Sequence, residues 1–192
     1  MKKIKLIMLD MDGVVNSDEL VEKWFHEKKD ELNKDGAEFN KPLKKIVWEA
    51  YDAEFCNSTE LVFPELAERI MRICNETDAY IVWSSTWRKL EKYADIEAAR
   101  NMFNRRGLPG NRLIGYTPQI GTSWYGKNRS GEIKAWMDEH KDKYEVLKCA
   151  VIDDRIDAGY DLYDNMKYFN TNEYIGIQEY QVKEIIEYLN GE

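Results

Sequence analysis

The chain has 192 residues, 43% of them hydrophobic and 33% charged, with a formal net charge of −8. That length suits one domain with at most a modest insertion, and the composition excludes a disordered or low-complexity protein. Cys56, Cys74 and Cys149 are odd in number and lack CxxC spacing, which fits reduced thiols in a cytoplasmic setting. No apolar run approaches the roughly 18 residues of a membrane span, and the run after Lys2-Lys3 is too short for a signal peptide.

Residues 4–9 read as a continuous apolar strand of the kind buried on both faces of a parallel sheet. It ends in Asp10 and Asp12, inside "KLIMLDMDGVVNS". Two carboxylates at a buried strand end are costly unless something neutralises them. Residues 17–60 form a charged stretch that Lys34-Asp35-Gly36 and Pro42 break into short helical pieces, an insertion or a small cap.

A helix begins at Pro64, with Leu66, Ile70, Ile73 and Cys74 at helical spacing. Residues 80–83 form a second strand, closed by "SSTWR". A basic helical segment over 90–106 leads to a third strand at 112–116. "WYGKNRSGE" opens a helix with Ile133, Trp136 and Met137 on one face. A fourth strand at 149–152 ends in "DDRID", and 166–169 can form a fifth. The last helix shows Val182, Ile185, Ile186 and Leu189 at i, i+3, i+4 and i+7. Strands alternating with helices predict an α/β fold: a Rossmann-like parallel sheet covered by helices on both faces, with a small helical insertion after the first strand.

Three strand ends then carry chemistry: Asp10/Asp12, Ser84/Ser85/Thr86 and Asp153/Asp154. In an open parallel sheet the carboxyl ends of the strands share one edge, where the ligand crevice lies. Carboxylates without His or Cys make a hard, all-oxygen site, which suits Mg²⁺. The metal is the missing neutraliser, and a basic residue from "GKNRS" completes a cage for a phosphoryl group.

In this order "LDMDGVV", "IVWSSTWR", "GKNRSGEI" and "VIDD" resemble motifs I to IV of the haloacid-dehalogenase-like (HAD) phosphohydrolases. "FPELAERIMRICNETDAYIVWSSTWR", "RGLPGNRLIGYTP", "RSGEIKAWMDEH" and "AVIDDRIDAG" are similar to the HAD domain of bacterial RNA-repair proteins, akin to the phosphatase half of polynucleotide kinase–phosphatases. The resemblance covers about three quarters of the chain and implies a single HAD-like domain over residues 1–192, with 17–60 inserted in it.

The resemblance also implies roles. Asp10 is then the nucleophile and Asp12 the general acid and base. Ser85, with Thr86 beside it, donates to the phosphoryl oxygens, and Ser84 against Ser85 is a one-residue question of alignment. Arg129 or Lys127 stabilises the phosphoryl charge, with "RSGEI" favouring Arg129. Asp153 and Asp154 hold Mg²⁺ together with Asp10 and the main-chain carbonyl of Asp12. Asp157 reads as a solvated or capping carboxylate.

The expected activity is a Mg²⁺-dependent phosphomonoesterase acting on a nucleotide or on a nucleic-acid terminal 3′-phosphate. A deoxyribonucleotidase-like or small-metabolite phosphatase is the alternative. A non-catalytic HAD-fold binding module is the alternative of another class, against which Asp10 and Asp12 both stand. Residues 87–134 carry ten Lys/Arg against four Asp/Glu, a local balance of +6. That stretch, with Trp124, Tyr125 and Arg88, is where a phosphorylated nucleotide or nucleic-acid end would be held. No membrane and no obligate protein partner are expected.

Overall fold

The computed structural model describes residues 1–33, 61–90, 94–120 and 128–191. The turn expected at Lys34–Gly36, Pro42, Cys56, Trp124, Tyr125 and Lys127 fall outside them.

The elements in chain order are β1 (Lys2–Leu9), α1 (Asp18–Asn33), α2 (Pro64–Thr77), β2 (Tyr80–Trp83), α3 (Ile96–Arg105), β3 (Leu113–Tyr116), α4 (Arg129–His140), β4 (Tyr144–Asp153), β5 (Met166–Asn170) and α5 (Glu179–Asn190). Short 3₁₀ turns follow β2 (Thr86–Lys89), precede β3 (Gly110–Arg112) and follow β4 (Ile156–Gly159). The five strands are parallel, in the order β3-β2-β1-β4-β5, so β1 is central. This is the HAD-like α/β sheet expected from the sequence.

A central strand is covered on both faces, which is why Leu6, Ile7, Met8 and Leu9 are all fully buried. Alternation sorts them: Ile7 and Leu9 face the cluster built on α2, α3 and α5, and Leu6 and Met8 face the one built on α4. Leu66, Ile70, Ile73 and Cys74 of α2 pack into the first cluster, Ile133 and Trp136 of α4 into the second.

Two boundaries differ from the expectation by five residues or more. Strand β4 starts five residues earlier than 149, because Val146 and its neighbours pair with the polar start of β1, where no continuous apolar run is needed. The basic helix starts only at Ile96, where the Asp95 carboxylate accepts the Glu97 N–H at 3.1 Å and caps the first turn.

Register brings the strand ends together. Leu9 pairs with Trp83 on one side and with Ile152 on the other. The next residues, Asp10, Ser84 and Asp153, therefore stand side by side at the carboxyl edge. The ladder runs on into them: Ser84 N–H donates to the Leu9 carbonyl at 2.8 Å and Asp10 N–H to the Ile152 carbonyl at 3.0 Å. On β3 the same step brings in Thr117, whose N–H donates to the Trp83 carbonyl at 3.1 Å.

Candidate active site

Asp10, Ser84 and Asp153 follow residues facing the α2/α3/α5 cluster, so alternation turns them toward α4. Helix α4 meets them with its first residue. Asn128 caps its start, accepting the Gly131 N–H at 3.1 Å, and Asp157 accepts the Arg129 N–H at 3.0 Å. Asp157 is thus the capping carboxylate, held by two Arg155 donors at 3.0 Å each. Burial works to raise its pKa, but the Arg129 N–H and the Arg155 guanidinium outweigh it and hold the carboxyl below its ordinary range.

The Arg129 guanidinium is 2% exposed and lies between acids: Nη2 is 3.6 Å from Asp10 Oδ1, Nε is 3.1 Å from Asp153 Oδ2 and Nη1 is 3.6 Å from Glu132 Oε2. The Nε–Oδ2 approach is close but off the N–H direction, so neither atom has a hydrogen-bond partner. The ion pair is present and its hydrogen-bonding capacity is unused.

Asp10, Asp153 and Asp154 each place one carboxylate oxygen within 4.8 Å of the others. Burial and then the Asp10 charge push Asp153 well above the ordinary carboxylate range, and Arg129 opposes them. Asp154 is pushed up to about 6, by burial first and the Asp10 charge second. One guanidinium does not balance three carboxylates, and the donors are all hard oxygens, so the triad fits a divalent cation. The close packing depends on Gly13, at φ +69°, where a Cβ would stand 2.8 Å from Asp154.

The Asp12 carboxylate does not belong to the triad. It is exposed, and Oδ1 accepts from Asn16 Nδ2 at 3.0 Å while Oδ2 accepts from Trp87 Nε1 at 2.9 Å.

The hydroxyls separate. Ser85 Oγ accepts the Trp87 N–H at 3.3 Å and caps the 3₁₀ turn. Ser84 Oγ is buried with no hydrogen-bond partner, as is Thr117 Oγ1 next to it in the register. The unpartnered hydroxyl beside Asp10 is Ser84, one residue before the one favoured on sequence. Thr86 is partly buried at the start of the same turn.

Arg88, expected to touch substrate, is turned into the protein. Its side chain is 4% exposed, with Nη2 on Glu132 Oε2 at 2.6 Å and Nε on the Thr117 carbonyl at 2.9 Å. Further donors reach the carbonyls of Ser85 and Pro118. It braces the β2 turn, the end of β3 and α4 behind Arg129. Sequence reasoning missed Glu132, three residues after Arg129 on the same helix face, and it missed Asn16 and the donor role of Trp87.

Folding pairs part of the +6 stretch. Besides the buried Arg88 and Arg129, Arg100 pairs with Glu97, Arg112 with Asp78 and Lys134 with Asp161. Arg105 and Arg106 lie along an open groove with Val62, Pro64, Glu68 and Met71.

A family model described as the HAD domain in Swiss Army Knife RNA repair proteins matches residues 6–182. Among solved structures, the HAD domain of the effector protein Lem4 from Legionella pneumophila is similar, with a TM-score of 0.55. It is 15% identical over 98% of this chain and 97% of that one, a likeness of fold. No curated protein matches the chain.

Proposed function

Because the chain belongs to the HAD domain family of Swiss Army Knife RNA repair proteins, we propose that it is a phosphomonoester hydrolase that removes a terminal phosphate from a nucleic-acid end. The observation that carries this reading is the meeting of Asp10, Asp153, Asp154, Arg129 and the unpartnered Ser84 hydroxyl at one sheet edge.

Asp10 is the nucleophile. Its carboxylate attacks phosphorus, the leaving oxygen departs and an acyl-phosphate forms on the side chain. Asp12, two residues on, gives the leaving oxygen its proton and takes one from the water that later cleaves the acyl-phosphate. Arg129 meets the charge of the phosphoryl oxygens with its guanidinium, whose Nε makes no hydrogen bond within the protein. Ser84 adds a hydroxyl donor, with Thr117 one strand further out. Asp10, Asp153 and Asp154 would hold Mg²⁺, with the Asp12 carbonyl as the main-chain ligand. The ion would neutralise the carboxylates so that the dianionic phosphate can approach.

The RNA-repair family supports a polynucleotide end as substrate, and the exposed Arg105 beside the groove is compatible with contact to a backbone. Oligonucleotides phosphorylated at the 3′ or the 5′ end, mononucleotides and a sugar phosphate, assayed with Mg²⁺, test the reading. Preferential release of phosphate from one oligonucleotide end is expected. Equal or faster turnover of the sugar phosphate would replace it with a small-metabolite phosphatase, and no turnover of any of them would overturn the hydrolase reading.

A further inference from the structure

Asp12 is exposed on a loop, yet both its carboxylate oxygens are held. Asn16 holds Oδ1, and Asn16 is itself fixed: it is buried, its Oδ1 accepts the Gly13 N–H at 2.9 Å and its Nδ2 also reaches the Leu61 carbonyl at 3.3 Å. The Gly13 N–H can only donate, so the amide must turn its oxygen there and its nitrogen toward Asp12. Trp87 holds Oδ2 from the neighbouring strand end, 75 residues away in sequence. The indole is anchored too. Its backbone belongs to the turn capped by Ser85, its carbonyl accepts the Leu90 N–H at 3.0 Å and its ring packs against the larger apolar cluster.

We infer that Trp87 is a positioning residue for proton transfer, holding Asp12 through its indole N–H in the orientation that protonates the leaving oxygen. An exposed aspartate on a glycine loop otherwise samples several rotamers, and acid catalysis needs the proton within hydrogen-bond reach of the departing atom. The indole suits this task because it donates and cannot accept, so it fixes the carboxylate without drawing off its proton. The bond becomes charge-assisted as the proton leaves Asp12, so it strengthens while the leaving oxygen is being protonated.

This inference rests on the phosphatase reading, and the test separates the two. In Trp87→Phe the ring stays and the donor is lost. Loss of acid positioning matters for an alkyl phosphate, whose leaving alkoxide must be protonated, and little for p-nitrophenyl phosphate, whose leaving phenolate need not be. The kcat/KM for a phosphorylated oligonucleotide, whose terminal phosphate is an alkyl phosphate, should fall roughly tenfold further than that for p-nitrophenyl phosphate, the size of one lost charge-assisted bond. In an Asp12→Asn background, Trp87→Phe should change neither value further. Equal losses on both substrates, or a Trp87→Phe effect that persists without the Asp12 acid, would overturn the role and leave the phosphatase intact. A wild-type chain that hydrolyses neither substrate overturns the phosphatase reading itself, and the role with it. The contact has a readout free of activity: the ¹⁵N indole resonance that vanishes in Trp87→Phe should be displaced in Asp12→Asn. An unmoved resonance would show that the bond does not form and would overturn the inference.

Discussion

Arg88 Nη2 lies 2.6 Å from Glu132 Oε2, with both side chains about 95% buried. This pair stands directly behind Arg129, whose Nη1 is 3.6 Å from the same carboxylate oxygen. Burial lowers the Arg88 pKa and Glu132 opposes that shift. Removing one partner of such a pair leaves a buried charge, which costs about 3–5 kcal/mol. Arg88→Met should therefore lower denaturant stability by about that amount, and the double variant Arg88→Met/Glu132→Leu should recover part of it. Phosphatase activity should fall in Arg88→Met even where the variant is folded, because Glu132 then draws Arg129 away from Asp10. Additive losses in the double variant would contradict the pairing.

Ser84 and Ser85 should behave oppositely. Ser85→Ala removes the acceptor that caps the 3₁₀ turn and should cost about 0.5–2 kcal/mol of stability. Ser84→Ala removes a hydroxyl with no partner in the protein, so its stability cost should be small. Its cost should appear in kcat/KM, where a donor to the phosphoryl oxygens is lost. Melting curves and steady-state kinetics on the two variants check both halves, and the reverse pattern would assign the phosphate contact to Ser85.

Asp154 makes metal-free stability fall as pH rises. Its folded pKa is about 6, above the ordinary 3.8, so between those values the folded state holds more protons than the unfolded one. Stability from this group is present at the acid end of that window and declines as pH climbs through about 6. With chelator present, Asp154→Asn should be more stable than wild type at pH 7.5, and the difference should shrink toward pH 5. Mg²⁺ should raise the wild-type melting temperature more at pH 7.5 than at pH 5, since it binds the ionised carboxylates. A difference between the two proteins that is constant with pH would contradict the burial of Asp154 against Asp10.

The sheet and the acids were legible because they obey local rules. Apolar runs ending in Asp10, Ser84 and Asp153 mark strand ends in any parallel sheet, and the helices between them show a period of 3.6. The first half of β4 was hidden because "YEVLK" alternates with charge instead of running apolar. The pairing within the +6 stretch was hidden for a related reason: the partners of Arg88, Arg112 and Lys134 lie 44, 34 and 27 residues away in sequence, beyond any local window. Asn16 and Trp87 escaped for the same cause, since an asparagine and a tryptophan acquire a donor role only when folding aims them at Asp12.

Cys74 and Cys149 should be chemically silent in the folded protein. Burial pushes both thiols up to about 12, so almost no thiolate is present at pH 8 and the sulfurs are out of reach. Alkylation at pH 8 followed by peptide mapping should leave both unmodified until denaturant is added. Rapid native modification of either would contradict the packing of α2 against the sheet or of β4 within it.

The most direct measurement is acid quenching of the enzyme during turnover with Mg²⁺ and a phosphorylated oligonucleotide, then peptide mapping of bound phosphate. Hydroxylamine-labile phosphate on the peptide containing Asp10, absent from Asp10→Asn together with all turnover, is the expected result. Undiminished hydrolysis by Asp10→Asn, or phosphate carried on another residue of the active enzyme, would contradict the assignment of Asp10 as nucleophile.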